Sequence, residues 1–467
     1  MTERELLDLA AQHRLDIEPN DVATYRAHVE QFVATLERLH AMADGEVSEA
    51  RARGTPPGDN PLNAWAWRCE ISGADGPLAG RRVAIKDNIC VAGLPMRVGS
   101  PMLAGYVPRF DATLVERLLA AGATIAGKSE CEALCFSSGS HTAVSGPVRN
   151  PHDPTRSAGG SSSGSAVLVA TGQVDLAIGT DSAGSIRTPS SYCGVYGLKP
   201  TAGLVPADGI FPLERTLDCA GPIARTLADL ELTLDAIADV PPTSDSGVRV
   251  GVLEEGFGWP ASEPDVDEAV RAALGAHGEP VSIPLHRNGI DIWVGIAMEG
   301  AYETMIRGHG GGTNTRAWSD PEMVRTLAGA PRLVASPSAT LMVLSGALAS
   351  RAGSAHYAVA RRLAGRLARA YDEALERFDV LALPTNPMKP PPLPAPNDPL
   401  ETRITRSTEP IVNTCPFNVT GHPALSAPWA RVDGLPVGVM LVGRRNGERD
   451  LLRAAASLEP AMNYCQK

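Results

Sequence analysis

The stretches "VAIKDN" (83–88), "GGSSSGSA" (159–166) and "GTDSAGSIR" (179–187) hold one lysine and a set of serines among small residues. A serine hydroxyl is a weak nucleophile until a neighbouring base takes its proton. Lys86 directly follows an apolar run, Val83 to Ile85, so a buried strand would carry it out of water. A desolvated lysine gives up its proton more readily and becomes a usable base. A second serine can relay a proton over a gap that the lysine does not span. Base, relay and nucleophile are therefore on offer without any histidine. In "DSAGSIR" the residues Ser182, Ala183, Gly184 and Ser185 are small, so their backbone N–H groups can approach a substrate oxygen and stabilise charge developing on it.

Each of these features has a plainer reading. Gly/Ser patches usually mark linkers, and a lysine at a strand end usually snorkels to the surface. The linker reading conflicts with "AVLVATGQVDLAIGT" (166–180), an almost wholly apolar segment between the two patches. Three other motifs point elsewhere. "GATIAGKS" (122–129) satisfies the phosphate-loop pattern, yet Gly122 closes a helical stretch and Thr124 and Ile125 suit a strand. "GSSSG" (160–164) satisfies the nucleophile-elbow pattern around Ser162, with His422 as a distant partner, but no strand precedes it. "RGHGGGTNTR" (307–316), with His309, reads as a flexible loop bordering a pocket rather than a metal site.

The elements that must position these residues alternate. "RRVAIK", "ATIAGK", "VDLAIGT", "VRVGVL", "FDVLALP", "PALSAP" and "VGVMLVG" read as strands. "DATLVERLLAAG" reads as a helix with Asp111 as N-cap and Gly122 as C-cap. Further helices are expected at "GSAVLVATG", "DVDEAVRAALG", "HYAVARRLAGRLARAYDEALERF" and "RDLLRAAASL", and a proline-rich loop at "PTNPMKPPPLPAPNDP". Alternating strands and helices imply an α/β protein with a large twisted mixed sheet covered on both faces. Residues 1–50 form an expected N-terminal helical segment, with Val22, Tyr25, Val29, Phe32, Val33 and Leu36 on one stripe; 60–467 form the expected catalytic domain. The stripe packs either on the chain's own core or on its copy in a symmetric homodimer.

At 467 residues and 43% hydrophobic, the chain can bury a large core, and its net charge of -11 disfavours a nucleic-acid partner. Cys69, Cys90, Cys131, Cys135, Cys193, Cys219, Cys415 and Cys465 show no metal-binding spacing, so neither metal nor cofactor is expected. The charged start "MTERELLDLAAQHRLD" lacks an apolar signal core, and no apolar run reaches spanning length. A cytoplasmic protein without a membrane partner is expected.

The string "GGSSSGSAVLVATGQVDLAIGTDSAGSIRTPSSYCGVYGLKPT", together with "AIKDN", closely resembles the amidase signature family, over roughly residues 60 to 457. The resemblance implies that family's fold and a Ser–cis-Ser–Lys triad. Lys86 matches the base. Ser161, after a cis peptide from Gly160, matches the relay, and Ser185, at the family's 24-residue spacing, matches the acylated nucleophile. Ser182, Ala183, Gly184 and Ser185 match the oxyanion hole; Gly160, Ser162, Asp181 and Arg187 match positions that brace the site. Ala183 and Ser163 stand where the family usually has glycine. "SSGSHTAVSGPVRNPHD", "GLVPADGIFPLERTLDCAGPIART" and "NTCPFNVTGHPALSAP" look most like bacterial nitrile-pathway and aryl-amide amidases, whose N-terminal helices tend to serve dimerisation. The resemblance implies hydrolysis of a small amide, anilide or carbamate. The alternatives are the A subunit of a glutamyl-tRNA amidotransferase or a non-catalytic binding paralogue. Specificity is expected from residues 300–350 and the loops at 135–150 and 386–405.

Overall fold

The computed structural model describes residues 1–43, 54–242, 248–308, 320–328 and 336–462. The chain forms two compact units, Met1–Ala50 and Arg51–Lys467. The first holds helices Glu3–Gln12 and Val22–Ala43. Thr2 and Glu5 close a capping box on the first of these, each side chain bonding the other's backbone N–H. Of the expected apolar stripe, Val22 is buried and Val29 half-buried, whereas Tyr25, Phe32, Val33 and Leu36 are exposed.

The second unit is built on one mixed sheet. Its strands are β1 (Trp65–Ser72), β2 (Arg82–Lys86), β3 (Thr124–Ser129), β4 (Leu176–Asp181), β5 (Tyr196–Lys199), β6 (Cys219–Ala224), β7 (Val250–Leu253), β8 (Gly278–Val281), β9 (Val380–Pro384), β10 (Ala424–Val432) and β11 (Leu435–Val442). They lie in the order β1-β3-β2-β4-β6-β5-β10-β11-β9-β7-β8. β2 runs parallel to both β3 and β4. Every residue of β4 is buried, as is all of β2 after Arg82. That burial explains why both read as unbroken apolar runs rather than alternating ones. The main core gathers Val83, Ile85, Ile125 and Ile178 with residues from strands further along the sheet, such as Val439 and Leu441 of β11. No helix among the described residues is long and apolar enough to cross a membrane.

One expectation needs correction, and the reading of the phosphate-loop look-alike as helix end plus strand agrees with the structure. The helix after Asp111 begins at Thr113, with Ala112 at the cap position and no side-chain cap. Asp111 instead accepts the backbone N–H of Ala92, 2.8 Å away. In "GATIAGKS", Gly122 follows a helix and residues 124–129 are β3, so nothing there opens a helix onto a phosphate. Gly127 has φ +149°, and a Cβ at that position would lie 2.2 Å from Trp67 O, which accounts for the glycine without any ligand.

Candidate active site

Lys86 is the last residue of β2 and is wholly buried. In the parallel register Ile85 stands opposite Ile178, which brings Lys86 beside the end of β4. Lys86 Nζ lies 2.8 Å from Ser161 Oγ, 2.8 Å from Thr180 Oγ1 and 3.3 Å from Thr180 O. All three partners are neutral oxygens. The Gly160–Ser161 peptide is cis. Ser161 O accepts the N–H of Glu132 at 3.2 Å, and the next amide, from Ser162, donates to Ser185 O at 3.1 Å. The serine pair therefore links the lysine to the turn that carries Ser185.

Ser162 itself is a strut. Its Oγ donates to Thr180 O at 3.0 Å and accepts the Thr180 N–H at 3.2 Å. His422, the partner that a nucleophile elbow would need, is buried against Thr420 and Asp372. These contacts agree with setting the elbow pattern of "GSSSG" aside. Most of "RGHGGGTNTR", His309 included, lies outside the described residues.

Residues 182–186 turn from β4 into the helix Arg187–Cys193. Asp181 organises this turn. Its Oδ1 accepts the Gly184 N–H at 2.7 Å and Arg187 Nη2 at 2.9 Å; its Oδ2 accepts the Ile186 N–H and Arg187 Nε, both at 3.0 Å. Burial alone would raise the Asp181 carboxyl, but the guanidinium of Arg187 holds it well below the usual carboxylate range. Asn418 donates to Asp181 O at 2.9 Å and accepts from Arg187 Nη2 at 2.7 Å. Thr414 Oγ1 donates to Ala183 O at 2.5 Å. Gly184 has φ +139°, and a Cβ there would fall 2.2 Å from Thr414 Oγ1, so this position requires glycine. Ala183 faces the adjoining cavity, where its methyl fits. Of the oxyanion set expected from the sequence, the Gly184 N–H is committed to Asp181.

Ser185 opens into a cavity of about 410 Å³ lined by Phe136, Ala183, Trp293, Met298 and Ile411. The Phe136 and Trp293 rings lie 6.2 Å apart, tilted by 33°. A second cavity, of about 560 Å³, is walled by Asn88, Thr180, Phe211, Asp218 and Cys219. Cys135, Ser182 and Leu213 line both. Burial, with Glu214 close by, pushes the Asp218 carboxyl up to about 7. Of the loops expected to set specificity, the one beginning at Cys135 does border the cavities. The 386–405 loop lines neither; Ser407, Thr408 and Ile411, beyond it, do.

Asp218, Trp293, Thr414 and Asn418 carry no local signal in the sequence that ties them to the site, and only long-range packing brings each to the turn. Thr180 lies within "GTDSAGSIR" itself, but sequence reasoning does not single out its part as a partner of Lys86.

Residues 63–452 match the family model described as Amidase. The chain is 42% identical to an enantioselective amidase of Rhodococcus rhodochrous over 481 aligned positions, covering 93% of this chain and 92% of that one. It is 38% identical to the A subunit of the glutamyl-tRNA(Gln) amidotransferase of Halobacterium salinarum over 427 positions, covering 85% of this chain and 99% of that one. In three dimensions it resembles the native peptide amidase from Stenotrophomonas maltophilia, with a TM-score of 0.66 and 30% identity, over 83% of this chain and 84% of that one. With the family model spanning most of its length and relatives this similar, the chain belongs to the amidase family and is an amide-hydrolysing enzyme.

Proposed function

We propose that the enzyme cleaves the carbon–nitrogen bond of a small amide, anilide or carbamate through an acyl-Ser185 intermediate. Ser185 Oγ attacks the carbonyl carbon. Its proton passes to Ser161 Oγ as the Ser161 proton passes to Lys86 Nζ. The N–H groups of Ser182, Ala183 and Ser185 stabilise the oxyanion. The proton then returns through Ser161 to the leaving nitrogen as the carbon–nitrogen bond breaks. Water, deprotonated along the same route, attacks the acyl-enzyme and releases the acid. The single observation behind this reading is the 2.8 Å contact between Lys86 Nζ and Ser161 Oγ, buried next to the Ser185 turn. Gly160, Ser162, Asp181 and Arg187 act by bracing this arrangement.

The cavity beside Ser185 suits an apolar, aromatic acyl group, because Phe136, Trp293, Met298 and Ile411 offer it no charge. A free-standing amidase is favoured over a component of an amidotransferase by the Rhodococcus rhodochrous relative, which matches 93% of this chain against 85% for the Halobacterium salinarum relative. Residues 60–467 form the catalytic domain in this reading. The exposed Tyr25, Phe32 and Val33 of the N-terminal segment, 1–50, serve a homodimer. The site of action is the cytoplasm.

A panel of aryl amides, aliphatic amides and aryl carbamates, assayed for released amine, identifies the substrate class. Ser185→Ala abolishes turnover with the thermal midpoint unchanged, and mass spectrometry after phenylmethylsulfonyl fluoride finds the adduct on Ser185. An adduct on Ser162 overturns the assignment. Light scattering gives a dimer for the intact chain and a monomer once residues 1–45 are removed; an intact chain that is monomeric at micromolar concentration rules the dimer out.

A further inference from the structure

Two aspartates flank the Ser185 turn, one at each side. Asp181 is bound to Arg187 and to the end of the turn nearest Ser185. Asp218, immediately before β6, reaches the start of the turn. Its Oδ1 accepts the Ser182 hydroxyl at 2.5 Å, while its Oδ2 accepts the N–H groups of Leu213 and Glu214 at 2.8 and 3.1 Å. Its own N–H donates to Glu214 O at 3.0 Å, so the segment 213–218 closes on itself and holds the carboxylate still. Asp218 is also part of the wall of the larger cavity.

Ser182 is held at a second point, since Trp293 Nε1 donates to Ser182 O at 2.8 Å. A peptide unit is planar and trans, so fixing a carbonyl fixes the opposite direction of the next N–H. Trp293 thus sets the Ala183 N–H through Ser182 O. Thr414 does the same one residue on: it holds Ala183 O, and the Gly184 N–H that follows is the one directed at Asp181. What remains to be set is the Ser182 residue itself, from which the first of these peptide planes hangs. The Asp218 bond fixes its side chain.

We propose that Asp218 is a positioning residue for the oxyanion turn, clamping Ser182 so that the Ser182 and Ala183 N–H groups are aimed at the substrate oxygen. This deepens the acyl-serine reading above and rests on it. Asp218 touches neither substrate nor the migrating proton in this scheme; it acts through Ser182.

Donors aimed at developing charge act on the transition state, so loosening them lowers kcat more than it raises KM. Loss of a whole oxyanion donor costs on the order of 10²–10³ in kcat. Loss of aim is expected to cost about ten-fold. Asp218→Asn and Ser182→Ala each lower kcat by about ten-fold with KM within about two-fold, and Ser182→Thr, which keeps a hydroxyl, restores most of the rate. The double variant is no slower than the slower single variant, because both break one contact. Wild-type kcat in Asp218→Asn, a loss confined to KM, or losses that multiply in the double variant would each overturn the proposal. If Asp218→Asn fails to fold, the Ser182→Ala and Ser182→Thr pair decides alone: equal rates in the two overturn it. Ser185→Ala separates the two levels of the argument. Residual turnover there removes the acyl-serine reading, whereas an inert Ser185→Ala beside fast Asp218→Asn and Ser182→Ala removes only the clamp.

Discussion

Lys86 and Lys128 are neighbours on parallel strands, Lys128 opposite Ile85 and Lys86 opposite Ser129, and neither has any exposed surface. Their partners differ in kind. Lys128 Nζ lies 3.4 Å from a carboxylate oxygen of Asp87 and 3.3 Å from Asp87 O. Lys86 meets Ser161 Oγ, Thr180 Oγ1 and Thr180 O. An opposite charge close by favours the charged form of a buried base. A hydroxyl partner can both accept and donate, so it offers the proton somewhere to go. Two lysines from one buried layer thus have different kinds of partner, and only Lys86 has the hydroxyl contacts that its proposed role requires. The partner, and not burial, makes the difference. Lys128 is also the lysine of the phosphate-loop look-alike, and its partner in the fold is Asp87.

The largest test of this contrast removes each ammonium in turn. Lys86→Met is expected to lower kcat by about 10²–10⁴, the usual range for a lost general base, with little change in the urea midpoint. Lys128→Met leaves Asp87 buried without its cation and should cost about 3–5 kcal/mol of stability, while the protein that remains folded keeps near-normal kcat. The contrast breaks if the losses are exchanged, with Lys86→Met unstable but fast and Lys128→Met stable but slow.

How much of this is legible in the sequence follows from where each signal sits. β2 and β4 announce themselves because strands buried on both faces need a continuous apolar run. The Lys86, Ser161 and Ser185 positions stand out through local motifs. β6 does not stand out as a strand. It contains Pro222, and proline argues against a central strand. The structure accommodates it because β5 pairs with β6 only at Ile223 and Ala224, one residue short of the proline. Asp111 suits a helix cap by its local sequence, but it bonds to Ala92, nineteen positions back. The clamp on Ser182 has the same character: Asp218 and Trp293 are 36 and 111 positions from it in sequence. A window of ten or twenty residues carries no trace of such pairs.

A third buried base, outside the proposed triad, sharpens the contrast at smaller cost. His286 is wholly buried, with Nδ1 2.7 Å from Tyr371 OH and Nε2 3.3 Å from Asn413 Oδ1. Asn413 Nδ2 donates to Gly256 O and Pro384 O, which fixes Oδ1 as the acceptor facing His286. Nε2 therefore carries the ring hydrogen, and Nδ1 accepts from Tyr371. Burial lowers the imidazole to about 4. In the unfolded chain it returns to about 6.5. Above 6.5 both states are neutral and the full stability is present. As the pH falls below 6.5 the unfolded state binds the proton first, so stability is lost progressively until about 4. At about 1.4 kcal/mol for each pH unit, the loss from this one residue is about 3 kcal/mol. His422, also buried and lowered to about 4, adds a parallel loss. Asp218 and Glu130, both pushed up to about 7 by burial, change stability in the opposite sense over this range, so the difference between proteins is the test. From pH 7 to pH 4.5, stability from urea melts should change about 3 kcal/mol less unfavourably in His286→Gln than in the wild type, while kcat at pH 7 stays unchanged. An equal change in both proteins would show that His286 is not held neutral by the fold, and a fall in kcat at pH 7 would place it in the chemistry that Lys86 is proposed to serve.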